Sequence, residues 1–503
     1  GGVQETLADL YLDTQDEKYM KIARVFHHNA IIDSLAMGKD ILPNKHGNTQ
    51  IPKLIASTRL YEISKDSQDL KPATFFYDRV VNHHSYVTGG HGNHEYFGQP
   101  DQLNFRLSNE TTETCNVYNM LKLSRELFLL QPSAKIADYY ERALFNHILS
   151  SQHPESGQVI YNLSLEMGGH KDYQNPFWFT CCVGSGMETH SKYEANIYYH
   201  AENALFVNQF IASRLNWEEK GIQLTQNTRF PEEQQAGFSL KMEAPQTFTL
   251  FLRYPYWAEK GIQIKVNGES WPVAKTPGSF VAIQRTWKDG DQVSMEMPFT
   301  LRLETMPDNE NRIAVMYGPL VLAGDLGPVD DPKAQEFDYV PVIMSETRAP
   351  DTWLEPVPGA VNTFRSKEVG NPRDIEFKPF YKTHDRRYSI YFDLFNEEKW
   401  SAHQAAYQAE QERKKALEAA TYDGFQPGEM QPERNHNFQG DKLNIMEDFK
   451  GRKARGSERG GWLSFDMKVD SEIPMSLVLE YWGGFTGSKT FDILIDGNPN
   501  RYR

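Results

Sequence analysis

The sequence predicts a multidomain α + β protein, in which a helical region is followed by antiparallel β-sandwich domains. Apolar residues recur at helical spacing through the first 200 residues, whereas short β-branched and aromatic runs separated by turn residues begin near residue 201. The length of 503 residues corresponds to three or four domains at roughly 100 to 200 residues per domain. We therefore expect separate helical and β-rich domains in that order.

Amphipathic helices repeat through residues 1–200. Apolar residues occupy every fourth position from Ile136 to Ile148, behind a Pro132-Ser133 pair that is typical of a helix start. Three further stripes of helical spacing lie in residues 17–31, 50–64 and 117–128. Such a series is typical of a helix bundle or an α/α toroid.

Runs rich in β-branched and aromatic residues predict sandwich strands after residue 200. Clear examples are residues 248–254, 262–266 and 312–316, which are bounded by glycine, proline, asparagine or aspartate. The segments 265–268 and 494–497 end in Asn-Gly and Asp-Gly, which are turn signals. Their similarity indicates two separate sandwich domains.

A polar helical stretch at residues 398–421 has little apolar stripe, and it predicts a surface connector between the last two β regions. We therefore predict four parts. They are a helical domain at 1–200, a β-sandwich domain at 201–330, a β-rich region with the connector helix at 331–423 and a C-terminal β-sandwich at 424–503. The chain ends soon after a predicted strand, so we expect the last sandwich to be cut short.

The charge balance argues against nucleic acid as a partner. The chain has 53 Lys and Arg against 68 Asp and Glu, a net charge of −15, whereas nucleic-acid binding needs a basic surface. No run of about 18 apolar residues occurs, so no membrane-spanning helix is predicted.

The sequence begins at Gly1, and we expect it to start part-way through a gene product. Oligomeric state and cellular compartment stay open, with a periplasmic or extracellular location favoured for a bacterial parent and a cytoplasmic one also compatible.

The three cysteines and a nearby carboxylate form a candidate metal site, since thiols and carboxylates are zinc ligands that combine in tetrahedral sets. The four residues are Glu113, Cys115, Cys181 and Cys182. Extended backbone before a helix that starts near Asn116 would put Glu113 and Cys115 on one side. Cys181 and Cys182 would need an irregular turn, and the glycines that follow them provide the backbone freedom. The alternatives are that the thiols are small buried hydrophobes, or that zinc fills a closed structural site.

A glycine-rich loop from Thr88 to Gly98 contains a second candidate group. Four glycines and two histidines surround Glu95, and glycine lets a ligand approach the backbone closely. A carboxyl enclosed among aromatic side chains is suited to act as a general acid. The alternative is a surface loop with solvated charges.

Several specific stretches point to one family. They are residues 46–53 (HGNTQIPK), 88–98, 112–115 (TETC), 118–123 (YNMLKL), 139–144 (YYERAL), the Cys181-Cys182 turn, 253–255 (RYP) and 317–324 (YGPLVLAG). Together they resemble the β-L-arabinofuranosidases of glycoside hydrolase families 127 and 146, and family 146 looks closer. The resemblance covers most of residues 1–330 and, less distinctly, the β regions beyond.

The resemblance implies a zinc-dependent retaining glycoside hydrolase that removes β-L-arabinofuranosyl residues from oligo- or polysaccharides, such as arabinose-containing plant glycans. By this likeness the zinc ligands are Glu113, Cys115, Cys181 and Cys182. Cys181 is then the nucleophile and Glu95 the acid/base of a double displacement. His46 and Tyr161 match positions that contact the sugar.

The same resemblance implies a fold for the helical domain. Family members have a complete (α/α)6 toroid, so residues 1–200 correspond to a partial (α/α)6 toroid. We expect about half of its helices, with any sugar contacts they make, to precede Gly1. The assignment therefore concerns the parent enzyme.

Two other functions fit parts of the sequence. The aromatic-rich sandwiches fit a carbohydrate-binding protein in which zinc has a structural role. The toroid also fits a lyase or epimerase, because a fold does not determine the chemistry. The first alternative predicts sugar affinity without turnover, and the second requires an essential Tyr or His base and no covalent cysteine adduct.

Overall fold

The structure is a computed structural model that describes residues 2–175, 177–336, 338–449, 452–480 and 491–499. The chain forms two compact units, of which the first ends at Glu397 and the second begins at Glu398. Within the described ranges, no helix is long and apolar enough to cross a membrane.

Helices dominate the first 200 residues, as the apolar spacing predicts. The described residues form ten α-helices: α1 (Val3–Thr14), α2 (Glu17–Val25), α3 (Asn29–Ala36), α4 (Gly47–Ser64), α5 (Ser67–Arg79), α6 (Thr114–Leu130), α7 (Ala134–Ala143), α8 (Cys181–His190), α9 (Glu397–Ala420) and α10 (Met430–Asn435). Short π-helical turns follow α5 over Val80–His84 and α7 over Leu144–Ile148. The four predicted stripes fall in α2 to α4, α6 and α7 with its π-helical turn, so these helix predictions are confirmed.

The apolar faces of α3 to α7 share one core. Ile51 of α4, Phe76 of α5 and Val117 of α6 are fully buried in it, and Tyr140 of α7 is nearly so. Removing a Leu, Ile or Phe side chain from water contributes about 1.5–3 kcal/mol. Packing of these stripes therefore stabilises the helical region and sets the positions of the helix ends.

Among the described residues, β-strands are the main regular structure after α8. The described strands are β1 (Tyr198–Ala201), β2 (Ala204–Val207), β3 (Ser213–Trp217), β4 (Ile222–Asn227), β5 (Gln235–Met242), β6 (Gln246–Tyr254), β7 (Gln263–Val266), β8 (Glu269–Trp271), β9 (Ser279–Trp287), β10 (Gln292–Glu296), β11 (Leu301–Met306), β12 (Asn309–Tyr317), β13 (Leu320–Pro328), β14 (Val342–Met344), β15 (Leu354–Pro356), β16 (Phe364–Ser366), β17 (Gly370–Asn371), β18 (Glu376–Pro379), β19 (Arg386–Ser389), β20 (Tyr391–Phe395), β21 (Gln439–Phe449), β22 (Arg452–Ser464), β23 (Leu494–Ile495) and β24 (Asn498–Pro499). The three predicted runs coincide with β6, β7 and β12 and are confirmed.

Three sheets in the first unit follow the helices. A four-stranded sheet has the order β1-β2-β6-β9, and a six-stranded sheet has the order β3-β4-β5-β10-β7-β8. Buried residues of both sheets, such as Leu250 of β6 and Val293 of β10, belong to one hydrophobic core. Burial alternates along β10, as expected for sandwich strands with one face on a core. After β7, Asn267 and Gly268 have φ angles of 53° and 84°, so the predicted turn is confirmed there.

The third sheet has ten strands and crosses residue 330. Its main order is β15-β16-β18-β13-β12-β20-β14-β17, with β11 on β12 and β19 on β13. Because β13 pairs with β18 and β19, strands on both sides of the expected boundary share hydrogen bonds. The four domain bounds stay predictions.

In the second unit, β21 pairs with β22 and β23 pairs with β24. None of the residues of α9 is buried, which confirms the prediction of a polar surface helix. Asp496 and Gly497 have positive φ angles of 50° and 78° between β23 and β24, as the Asp-Gly signal predicts. The end of the chain, where we expected a truncated sandwich, lies outside the described residues.

A buried arginine joins the helical region to the first sandwich. Arg253 of β6 is fully buried, with Nη1 at 2.6 Å from Asp138 Oδ1 and a second ion pair to Glu141. Its Nε donates to the carbonyl oxygen of Asn208 at 2.7 Å, and Trp257 Nε1 donates to Glu141 at 2.8 Å. Asp138 and Glu141 belong to α7, so this cluster fixes α7 on the sheet.

Replacing this arginine should destabilise the first unit strongly. In Arg253→Met, the buried carboxylates of Asp138 and Glu141 lose their cation, and breaking a buried pair costs about 3–5 kcal/mol. We expect the free energy of unfolding to fall by this amount, as measured by urea denaturation monitored with circular dichroism. The control is Arg365→Met, which removes an exposed pair with Glu376 and should cost about 0–1 kcal/mol. Equal losses in both variants would contradict the assigned role of Arg253.

Candidate active site

One carboxylate and three thiols meet where three segments of the first unit converge. One ligand atom from each of Glu113, Cys115, Cys181 and Cys182 lies within 4.8 Å of the others. The sulfurs of Cys115 and Cys182 are 3.2 Å apart, and those of Cys181 and Cys182 are each 4.0 Å from Glu113 Oε1. The structure thus brings together all four residues that the sequence predicts as ligands.

Helix starts position these groups, and here two sequence predictions are wrong. The helix start near Asn116 is confirmed, but α6 begins at Thr114, so Cys115 lies in its first turn and not on extended backbone before it. Cys181 and Cys182 do not lie in an irregular turn but are the first two residues of α8. The partial positive charge of a helix N-terminus favours thiolates.

The close approach of α4 to α6 depends on a glycine. Gly47 is the first residue of α4, and a Cβ there would lie 2.7 Å from Asn116 Nδ2. Any larger residue would displace the buried Asn116 side chain. The start of α4 therefore reaches the start of α6 beside the thiols.

Burial and mutual repulsion set the ionisation of the cluster. Glu113, Cys115 and Cys182 are buried, whereas Cys181 is exposed. Burial and then the negative charge of Cys115 raise the pKa of Glu113 to about 9. The hydrogen bond between Cys115 and Cys182 lowers the pKa of Cys115 and raises that of Cys182, and burial raises the pKa of Cys181. All four groups can be anionic together only beside a cation.

The cluster fits a metal ion. Zinc–sulfur bonds of about 2.3 Å place the ligands of a tetrahedral ion about 3.8 Å apart, which is close to the observed separations. Glu113 Oε2 is buried and has no hydrogen-bond partner among the described residues, as expected for an atom that needs a cation. The donor set of one carboxylate and three thiols is one that zinc accepts.

Glu95 lies at the corner of a tight turn beside this cluster. Asn93 and Tyr96 exchange backbone hydrogen bonds of 3.0 and 3.1 Å, and His94 and Glu95 between them have φ angles of 49° and 67°. This is the pattern of a type I′ turn. The Glu95 carbonyl accepts a hydrogen bond of 2.7 Å from the amide of Gly47, which fixes the turn on the start of α4.

The side chain of Glu95 joins the remaining predicted site residues. His46 Nε2 is 2.9 Å from Glu95 Oε2, and the Tyr161 hydroxyl donates a short hydrogen bond to Glu95 Oε1. The thiol of Cys181 in turn donates to the Tyr161 hydroxyl at 3.6 Å. Glu95 and His46 are 32% and 28% exposed, and Cys181 is exposed as well. A ligand in solvent can therefore reach both the Glu95 carboxylate and the Cys181 thiol.

Sequence reasoning missed several residues at this site. Asn48 donates to Glu113 Oε1 at 3.3 Å, and Ser185 Oγ is 3.1 Å from the sulfur of Cys115. Asn48 lies in the stretch 46–53, but nothing in its spacing indicates this contact. The three aromatic residues before Thr180 are exposed, between 71% and 91%, and their unbroken run was a signal that could have found them.

Comparison with known protein families accounts for most of the first unit. The model of the β-L-arabinofuranosidase GH127 catalytic domain matches residues 1–195, and that of the GH127 middle domain matches residues 204–299. The chain belongs to the GH127 β-L-arabinofuranosidase family. This GH127 protein is therefore a glycoside hydrolase, and its substrate is a glycan. The closer likeness to family 146 stays a prediction.

The second unit of the GH127 protein is less informative. Residues 416–501 match a family of unknown function, DUF6805. No curated protein matches the chain by sequence.

Solved structures resemble the GH127 chain in fold. A glycoside hydrolase is 18% identical with a TM-score of 0.62, and the match covers 78% of this chain and 74% of that one. A GH127 β-arabinofuranosidase is 20% identical with a TM-score of 0.63, covering 78% and 68%. Ara127N-Se, a GH127 β-L-arabinofuranosidase from Geobacillus stearothermophilus T6, is 19% identical with a TM-score of 0.61, covering 78% and 72%. These likenesses support a multidomain α + β fold for this chain, in which helices are followed by sheets that are antiparallel except for the β2–β6 and β14–β20 pairs.

Metal binding should depend on the buried carboxylate. We expect the reduced chain to bind about one divalent metal ion, and Glu113→Gln to bind it at least about tenfold more weakly, because it loses an anionic ligand. Equilibrium dialysis with elemental analysis measures both values. The matched control is Glu110→Gln, whose carboxylate is 57% exposed and contacts His94. Equal metal content in all three proteins after dialysis against a graded chelator would contradict the site.

Proposed function

We propose that this chain is a zinc-dependent retaining β-L-arabinofuranosidase, which removes β-L-arabinofuranosyl residues from arabinose-containing plant glycans. Cys181 is the nucleophile and Glu95 is the general acid/base. The family supports the sugar class, since both matching GH127 models carry the β-L-arabinofuranosidase description. The contacts of Tyr161 support the two catalytic roles.

The observation that most directly supports retention of the anomeric configuration is that a single hydroxyl, that of Tyr161, lies between Cys181 and Glu95. Tyr161 OH is 3.6 Å from Cys181 Sγ and is hydrogen-bonded to Glu95 Oε1. Because a short O–H···O⁻ hydrogen bond is about 2.5–2.7 Å long, the sulfur and the carboxylate oxygen are at most about 6.3 Å apart. Carboxyl pairs of retaining glycosidases are about 5–5.5 Å apart, whereas inverting pairs need about 6.5–9.5 Å for a water molecule.

Glu113, Cys115, Cys181 and Cys182 would hold the zinc ion. When bound, zinc keeps the sulfurs as thiolates at neutral pH and lowers their basicity, which suits Cys181 both as nucleophile and as leaving group. Cys115 and Cys182 are buried, whereas Cys181 is exposed. Only Cys181 is thus open to a substrate.

In the first step, the Cys181 thiolate attacks the anomeric carbon and forms a carbon–sulfur bond as the glycosidic carbon–oxygen bond breaks. Glu95, protonated at this stage, gives its proton to the departing oxygen. His46 and Tyr161 contact the two carboxyl oxygens of Glu95 and hold it toward the substrate. We assign the same two side chains to the sugar hydroxyls.

In the second step, the Glu95 carboxylate accepts a proton from water as the water oxygen attacks the anomeric carbon. The carbon–sulfur bond breaks, and Cys181 leaves as a thiolate. Each displacement inverts the anomeric carbon, so the product retains the β configuration. In fold, we assign the helices of residues 1–200, which are α1 to α8, to part of an (α/α)6 toroid.

Loss of the nucleophile should abolish turnover. We expect Cys181→Ser to hydrolyse an aryl β-L-arabinofuranoside at least about 10³-fold more slowly, because a serine hydroxyl is a far weaker nucleophile than a thiolate. Release of the aryl group measures the rate, and mass spectrometry of the wild type should find a pentosyl adduct on Cys181. Ser191→Ala, at the far end of α8, is the control. Normal turnover by Cys181→Ser would exclude the cysteine nucleophile.

Loss of the Glu95 carboxyl group should reduce the hydrolysis rate most for substrates with poor leaving groups. In Glu95→Gln the departing oxygen receives no proton, so the first step on natural linkages should slow more than on substrates with an activated aryl leaving group. Pre-steady-state rates of aryl release and of arabinose release from an oligosaccharide give the comparison, with Glu110→Gln as control. Equal losses on both substrates would count against the acid/base role. Sugar binding without turnover by the wild type would instead favour a carbohydrate-binding function.

A further inference from the structure

Two asparagines connect the glutamate of the thiol cluster to the helices behind it. Asn119 Nδ2 donates to Asn48 Oδ1 at 2.7 Å, and Asn48 Nδ2 donates to Glu113 Oε1 at 3.3 Å. Asn48 is the second residue of α4, whereas Asn119 lies on α6, one turn after Cys115. The chain of contacts therefore joins both helix starts to one carboxylate.

Glu113 and Asn119 together orient the Asn48 amide, because an ionised carboxylate accepts hydrogen bonds and cannot donate one. Since the Asn48 carbonyl accepts from Asn119, its NH₂ group is left to face Glu113. Among the described residues, Asn48 supplies the only nitrogen donor to this carboxylate. Glu113 Oε1 also lies 4.0 Å from the sulfurs of Cys181 and Cys182. The amide thus fixes the rotation of the carboxylate about its last bond.

The two oxygens of Glu113 have different surroundings as a result. Oε1 accepts the hydrogen bond from the Asn48 amide, whereas Oε2 is buried and has no hydrogen-bond partner among the described residues. A carboxylate free to rotate would lose this distinction, and it would also lose the entropy advantage of a ligand that is held before the ion arrives. Hydrogen-bonded partners of this kind orient metal ligands, and their removal typically lowers metal affinity about 10–100-fold.

We infer that Asn48, held by Asn119, is a positioning residue that orients Glu113 for the metal ion. The inference rests on the metal site proposed above and adds two residues that are not ligands. A neutral amide suits this place because it donates a proton without adding charge. An aspartate of the same shape would offer only oxygens and would add a fifth anionic group beside the carboxylate and the three thiols.

The test measures metal affinity in the full chain, with thiols reduced and without substrate. We expect Asn48→Asp and Asn48→Ala to weaken zinc binding about 10–100-fold in chelator competition, and Asn48→Asp to have the larger effect. Asn119→Ala should weaken it less, because Asn48 keeps its donor but loses its anchor. The visible spectrum of the Co²⁺-loaded proteins gives a second readout, since a misplaced carboxylate changes the ligand field while the sulfurs stay bound. Asn82→Asp, which alters an exposed amide hydrogen-bonded to Asp78, is the matched control.

The outcomes separate the two proposals. If the wild type binds no zinc, the metal site itself is wrong. If the wild type binds zinc and the variants at Asn48 and Asn119 bind within twofold of it with unchanged Co²⁺ spectra, the positioning role is overturned. The double variant Asn48→Ala/Asn119→Ala should bind as weakly as Asn48→Ala alone, since Asn119 acts only through Asn48, and additive losses would contradict the relay. Should Asn48→Asp fail to fold, Asn119→Ala tests the same relay from a residue that does not touch Glu113.

Discussion

The local structure depends on one electrostatic constraint, the crowding of four potentially anionic groups in a space from which water is largely excluded. Three of the four are buried, and the pKa of Glu113 is raised to about 9 by burial and by its sulfur neighbour. All four groups can be ionised together only if positive charge compensates them. The helix dipoles at the starts of α6 and α8 provide part of that charge, and a divalent cation would provide the rest.

The surrounding fold brings these groups together from distant segments. The shared core of α3 to α7 holds the helix ends, Gly47 lets α4 approach α6, and the Arg253 cluster fixes α7 against the first sandwich. On the solvent side, the type I′ turn projects Glu95 toward Cys181 with Tyr161 between them. The buried side of the site therefore suits metal binding, and the exposed side suits a substrate.

Much of this arrangement was predictable from sequence, and the remainder was not for identifiable reasons. Helical spacing located α4, α6 and α7, and residue chemistry alone singled out the four ligand-type side chains. Cys115 was placed outside α6 because Glu113 is not a preferred N-cap residue, and Cys181 and Cys182 were placed outside α8 because the glycines that follow them disfavour helix. Asn48 was missed because its partner Asn119 is 71 residues away, a separation at which periodicity holds no information. The pairing of strands across residue 330 could not be predicted for the same reason. The alternation of apolar residues identifies a strand but does not identify the strand it pairs with.

The unequal exposure of the three thiols has a consequence for oxidation. The sulfurs of Cys115 and Cys182 are 3.2 Å apart, and a disulfide requires about 2.05 Å, so only a small shift of two atoms separates them from a covalent bond. A two-electron oxidant that joined this pair in the metal-free protein, with release of two protons, would remove two of the four ligand-type sulfur and oxygen groups at once. Such a disulfide would close the cluster without modifying Cys181, and a bound metal ion would protect against it by holding both sulfurs.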